Sequence, residues 1–131
     1  MRVMLDTNII ISAMVFKSSR MSEVLGKIRE KHELCLSAYS IEETKRILND
    51  KFSDVATDIE RFFEDYPYTL IETPINNGAP LVRIRDKKDY PIVHAAIIAQ
   101  IDVLVTGDKD FFDVEIDCPL ILSPADFMLR Y

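Results

Sequence analysis

Four acidic residues of the 131-residue chain are placed where a carboxylate can do chemistry. Asp6 directly follows Val3-Met4-Leu5, an apolar run too short for a helix and suited to a strand buried on both faces of a parallel sheet. Asp108 repeats the arrangement after Val103-Leu104-Val105, with Gly107 between them allowing close backbone approach. In open α/β sheets ligands bind just beyond the carboxyl ends of the strands. A carboxylate there reaches a ligand without being buried unpaired, which would be costly. Glu43 lies four residues before Ile47 near the start of a helix, so it borders that helix's apolar stripe. Asp89 directly precedes a strongly apolar helix opened by Pro91. Each has a purely structural alternative. Asp6 and Asp89 can be helix N-caps, and Glu43 and Asp86 can simply complement a helix dipole. Glu42 is expected on the polar face of its helix, in an i,i+4 ion pair with Arg46.

If two strand ends and two helix starts converge on one edge of a sheet, four carboxylates repel one another and raise each other's pKa. A hard divalent cation, Mg²⁺ or Mn²⁺, resolves that with carboxylates and water and needs neither His nor Cys. Such a site supports phosphodiester hydrolysis, because the metal activates water and steadies charge on the phosphoryl oxygens. His32 and His94 are the only histidines, and no Cys/His spacing suits zinc. The net charge of −6 argues against non-specific nucleic-acid binding through a basic surface but leaves a metal-dependent nuclease open.

The elements that must position these acids alternate along the chain. Helices are expected over about 8–15, 21–31, 39–49, 55–66 and 92–100, with a last one from Ser123-Pro124 to about Leu129. Strands are expected at Val3–Leu5, Leu34–Leu36, Tyr68–Ile71, Val103–Val105 and Pro119–Leu122. Leu81–Ile84 reads as a short extended piece after Pro74 and the Asn76-Asn77-Gly78 turn. Phe111 and Phe112 suggest that the turn after Asp108 folds back onto the core. Strand–helix alternation with short apolar strands implies a three-layer α/β/α sandwich with a mostly parallel central sheet. Residues 1–131 read as a single domain, and 48% apolar composition makes it globular. No apolar run is long enough to span a membrane, and Asp6 interrupts what would be a signal peptide. Cys35 and Cys118 read as two buried free thiols of a cytoplasmic protein.

Several short motifs occur in order. They are Leu5-Asp6-Thr7-Asn8, Ser37 with Glu43 six residues on, Asp89 with Ile92 and Ala95-Ala96, and Val105-Thr106-Gly107-Asp108-Lys109-Asp110-Phe111. Together they resemble the PIN-domain family, from Arg2 to about Phe127. Within it the chain is similar to the prokaryotic branch of toxin components of toxin–antitoxin pairs, akin to VapC toxins. The resemblance implies a Mg²⁺- or Mn²⁺-dependent endoribonuclease that hydrolyses RNA with a metal-activated water. Carried over position by position, Asp6, Glu43, Asp89 and Asp108 are the metal-binding acids, with Asp110 as a fifth or outer group. Thr7, Asn8 and Thr106 would orient carboxylates or water. Thr44 departs from the apolar residue that relatives often carry after the glutamate, which leaves Glu42 open beside Glu43. Asp86 stays open beside Asp89, since relatives are acid-rich there. Lys17, Arg20, Lys45, Arg46, Lys87 and Lys109 are the basic groups available to grip RNA. By analogy the partners are an RNA substrate, a small antitoxin protein and a second copy of the chain in a homodimer.

Other classes fit less well. A haloacid-dehalogenase-like phosphatase expects a second Asp two residues after the first, where this chain has Asn8. A receiver domain expects paired acids before its first turn, and that pattern is absent. A non-catalytic PIN-like module binding RNA or protein is the closest rival.

Overall fold

The structure, a computed structural model, describes residues 1–72 and 90–131. Pro74, the Asn76–Gly78 turn, Leu81–Ile84, Asp86, Lys87 and Asp89 lie outside the described residues. The described chain runs β1 (Arg2–Leu5), α1 (Thr7–Val15), α2 (Ser19–Lys31), β2 (Glu33–Ser37), α3 (Ala38–Lys51), α4 (Ser53–Ala56), α5 (Ile59–Asp65) and β3 (Thr69–Ile71). It continues with α6 (Tyr90–Ile98), β4 (Val103–Val105), α7 (Lys109–Phe112), β5 (Leu120–Leu122) and α8 (Pro124–Arg130).

The five strands form one sheet in the order β3-β2-β1-β4-β5, and every pairing is parallel. Side chains alternate across a strand, and the two cores divide the strands accordingly. Val3, Leu5, Leu34, Leu36, Val103, Val105 and Leu122 face one core, with Ile10 of α1, Ile28 of α2, Leu48 of α3, Ile59 of α5 and Phe127 of α8. Met4, Cys35, Ile71 and Leu104 face the other, with Val93 and Ala96 of α6 and Phe111 of α7. Helices therefore cover both faces, as the near-continuous apolar strands require, and the three-layer α/β/α sandwich is realised with an all-parallel sheet.

Three expectations need correction. The helix over 55–66 is two short helices, because Thr57 and Asp58, both poor helix formers, separate α4 from α5. α4 buries no residue, whereas α5 turns Ile59 into the core. Of the phenylalanine pair only Phe111 is buried; Phe112 is exposed, since one turn of helix presents one side to the core. Both cysteines are free, but Cys118 is exposed in the loop before β5 and only Cys35 is buried.

The helix starts follow the capping residues. Ser37 accepts a bond from the Ser40 backbone N–H at 3.0 Å and donates to the Ser40 hydroxyl at 2.9 Å, both groups being buried. Ser123 caps α8 by accepting from the Asp126 N–H at 3.1 Å. Ser37→Ala is expected to cost about 1–2 kcal/mol in urea unfolding, because it uncaps α3 and strands the buried Ser40 hydroxyl. An unchanged unfolding midpoint would show that the cap is dispensable.

Candidate metal centre

The strand order creates one special position. The chain leaves β1 toward β2 and β3 on one side and returns through β4 and β5 on the other. Ligands of open α/β sheets bind at that switch point, beyond the carboxyl ends of the diverging strands. Leu5 is in register with Val105, so Asp6 and Thr106 leave the sheet side by side. The Asp6 backbone N–H extends the ladder to the Val105 carbonyl at 3.2 Å.

Asp6 is the N-cap of α1 and is only 2% exposed. Its Oδ1 accepts from the Ile9 backbone N–H at 3.1 Å, and its Oδ2 accepts from the Thr106 hydroxyl. The cap and site readings are thus not exclusive, because one carboxylate oxygen serves each. The Thr106 hydroxyl in turn accepts from the Asp108 backbone N–H at 3.0 Å. Asp108 caps α7, its Oδ1 accepting from the Asp110 N–H at 2.9 Å. A hydrogen-bonded chain therefore joins Asp6, Thr106, Asp108 and Asp110. Burial pushes the Asp6 carboxyl up to about 6. The bonds from Thr106 and from the Ile9 and Asn8 backbone pull it down, and the Asp108 charge adds to the upward push. Thr7 is buried next to Asp6, and among the described residues its hydroxyl has no hydrogen-bond partner. Asn8 is exposed.

Glu43 lies on α3, its side chain 20% exposed, whereas Glu42 is exposed. The expected ion pair is redistributed: Arg46 pairs with Glu43 at 3.6 Å across i,i+3 rather than with Glu42. Residues three apart on a helix are as close as residues four apart, so both pairings lie within reach. The Tyr39 hydroxyl also donates to Glu43 at 3.3 Å. Among the described residues Glu43 bonds Tyr39 and Arg46 rather than Asp6 or Asp108. Thr44 behaves as an apolar residue would, because it is fully buried and returns its hydroxyl to the Ser40 carbonyl at 2.6 Å. Asp89 lies outside the described residues.

The donor chemistry suits Mg²⁺ or Mn²⁺: hard carboxylate oxygens, one of them buried beside a second acid, where burial and the neighbouring charge raise the cost of its ionised form. The orphaned Thr7 hydroxyl is the kind of group that a bound water satisfies. Among the described residues no group of three or more His, Cys, Asp or Glu side chains is arranged to hold a metal. Mg²⁺ commonly takes only one or two carboxylates and keeps several waters.

Beside this pair opens a groove of about 410 Å³, lined among others by Asn8, Ser12, Arg20, Met21, Asp108 and Ser123. Sequence reasoning did not place Ser12, Met21 or Ser123 near the acids. Ser123 was legible only as a cap, although a residue closing the strand beside β4 must also emerge at the same edge.

The sequence matches the PIN-domain family over residues 2–110. No curated protein matches the chain significantly. Among solved structures it is similar to the crystal structure of VapBC2 from Rickettsia felis bound to a DNA fragment from their promoter. That likeness has a TM-score of 0.72 and 19% identity, and covers 93% of this chain and 97% of the other. The strand order, the carboxylates at the switch point and the match over most of the sequence identify the chain as a member of the PIN-domain family.

Proposed function

We propose that this protein is a Mg²⁺- or Mn²⁺-dependent endoribonuclease, the toxin of a toxin–antitoxin pair. The observation that carries the reading is the buried Asp6 carboxylate, tied through Thr106 to Asp108 at the switch point of a PIN-family sheet. Asp6 and Asp108 would hold the ion, with Glu43 and Asp89 completing its surroundings. When bound, the ion supplies an activated water and neutralises charge on the phosphoryl oxygens.

The chain's own residues prepare that site. Thr106 fixes the orientation of Asp6 and counters the effect of burial on its ionisation. Ile9 holds the other oxygen of the same carboxylate, so the side chain has no free rotation to spend on binding. Asp108 is held through its backbone and by the Asp110 N–H. Thr7, Asn8 and Asp110 remain to orient water or substrate.

An antitoxin partner is supported by the likeness to VapBC2. Phe16, Ile98 and Leu129 are each more than half exposed and offer apolar surface for an antitoxin or for a homodimer. No described helix is long and apolar enough to cross a membrane. The toxin reading, whose RNA substrate is cytoplasmic, places the protein in the cytoplasm.

Purified protein is expected to cleave a structured RNA pool with Mg²⁺ or Mn²⁺ and to stop when a chelator is added. The products should carry 5′-phosphate and 3′-hydroxyl ends. Cyclic 2′,3′-phosphate ends would overturn the metal-water route. RNA binding without cleavage under either metal would favour the non-catalytic module.

A further inference from the structure

The groove beside Asp108 has features that the metal centre does not account for. It runs from the carboxyl ends of β4 and β5 to the starts of α1 and α2. Its volume of about 410 Å³ lies within the range of small-ligand sites, about 300–1,000 Å³. Arg20 lines it from the first turn of α2. A cation in that turn opposes the helix dipole, and among the described residues Arg20 makes no ion pair. Helix stability therefore does not explain it. Two of the other basic groups considered for RNA are placed differently. Lys17 lines a separate groove with Asp58 and Asp65, and Arg46 is occupied by Glu43. Asn8 and Ser12 add neutral hydrogen-bonding groups, while Met21, Pro124 and Ala125 make an apolar wall.

We propose that this groove is a nucleotide subsite, in which Arg20 grips the backbone phosphate next to the bond held at Asp6 and Asp108. The proposal rests on the nuclease reading and deepens it. Arg20 meets the phosphate as a planar fork, Asn8 and Ser12 hydrogen-bond phosphate or ribose, and the base lies on the apolar wall. None of the described lining residues is aromatic. Stacking, the usual source of base affinity for single strands, is weak here, so the grip is on the backbone and indifferent to the base.

The test is binding of short fluorescein-labelled single-stranded RNAs to the full chain by anisotropy, with Ca²⁺ replacing Mg²⁺ so that binding is read without cleavage. Arg20→Ala is expected to weaken binding about tenfold, the scale of one charge-assisted contact. The slope of log affinity against log salt should fall by about 0.7, the value for one phosphate on a single strand. The loss should be equal for RNAs of different base composition. Arg20→Lys should recover part of it, and Lys31→Ala, at the far end of α2, should change nothing. In Mg²⁺ the same Arg20→Ala variant should raise KM and keep kcat. Wild-type affinity and salt slope in Arg20→Ala would overturn the subsite while leaving the nuclease reading intact. A loss confined to particular bases would overturn the backbone grip. No RNA binding by the wild type would overturn the nuclease reading, and the subsite with it.

Discussion

Asp6→Asn is expected to abolish metal-dependent RNA cleavage and, in the absence of metal, to make the protein more stable at pH 7. The loss of cleavage follows from removing a charged donor at the switch point. Metal stabilisation of developing charge is worth several kcal/mol, so the rate should fall at least about a thousandfold. The gain in stability follows from burial. The folded protein holds Asp6 at about 6 instead of 3.8, so between these values the folded state binds the extra proton. Stability therefore falls as pH rises through that window, and the full penalty applies above it. At 1.36 kcal/mol per unit the penalty is about 3 kcal/mol. Asparagine keeps an oxygen for the Ile9 cap but bonds Thr106 less well, which leaves a net gain of about 1–2 kcal/mol. Thermal unfolding should show a higher Tm for Asp6→Asn at pH 7 and a difference that vanishes toward pH 4. Adding Mg²⁺ should raise the wild type toward the variant and leave the variant unmoved. A variant that is less stable at pH 7 would mean that the capping role outweighs the buried charge.

Thr106→Val is expected to damage both stability and metal affinity, although the two side chains are nearly the same size. Thr106 is fully buried, and its hydroxyl is donor to Asp6 and acceptor from the Asp108 backbone. Valine leaves both partners unsatisfied at once. Each such group costs about 1–3 kcal/mol when water cannot replace the bond. The Asp108 N–H is only partly buried, so a total of about 2–3 kcal/mol is expected in urea unfolding at pH 7. The bond from Thr106 is the largest influence holding the Asp6 carboxyl down. Without it Asp6 titrates higher still, and metal affinity should drop about 10- to 100-fold, as when an outer-shell partner is lost. Thr106→Ser should restore both properties. The destabilisation should also shrink in an Asp6→Asn background, since the two residues act as a pair. Full stability and unchanged metal response in Thr106→Val would disprove the bridge.

Much of this protein is determined locally. Runs of three or four apolar residues mark strands buried on both faces, and hydroxyl or carboxylate side chains at their ends mark helix starts. Asp6, Ser37 and Ser123 each fill such a position and each caps the following helix, whereas the stretch after Asp108, expected as a turn, forms the short α7 that Asp108 caps. Capping is a bond between near neighbours, so the sequence by itself contains it. The three-layer arrangement follows equally, because a double-sided apolar sheet must be covered on both faces. What only the tertiary structure decides is which distant groups meet. Thr106 reaches Asp6 because β4, not β2 alone, lies against β1. Strand order depends on pairings between segments a hundred residues apart, which no local pattern encodes. The position of Arg20 has the same origin: it is one basic residue among several in the sequence, and the joining of four elements places it on the groove beside Asp108.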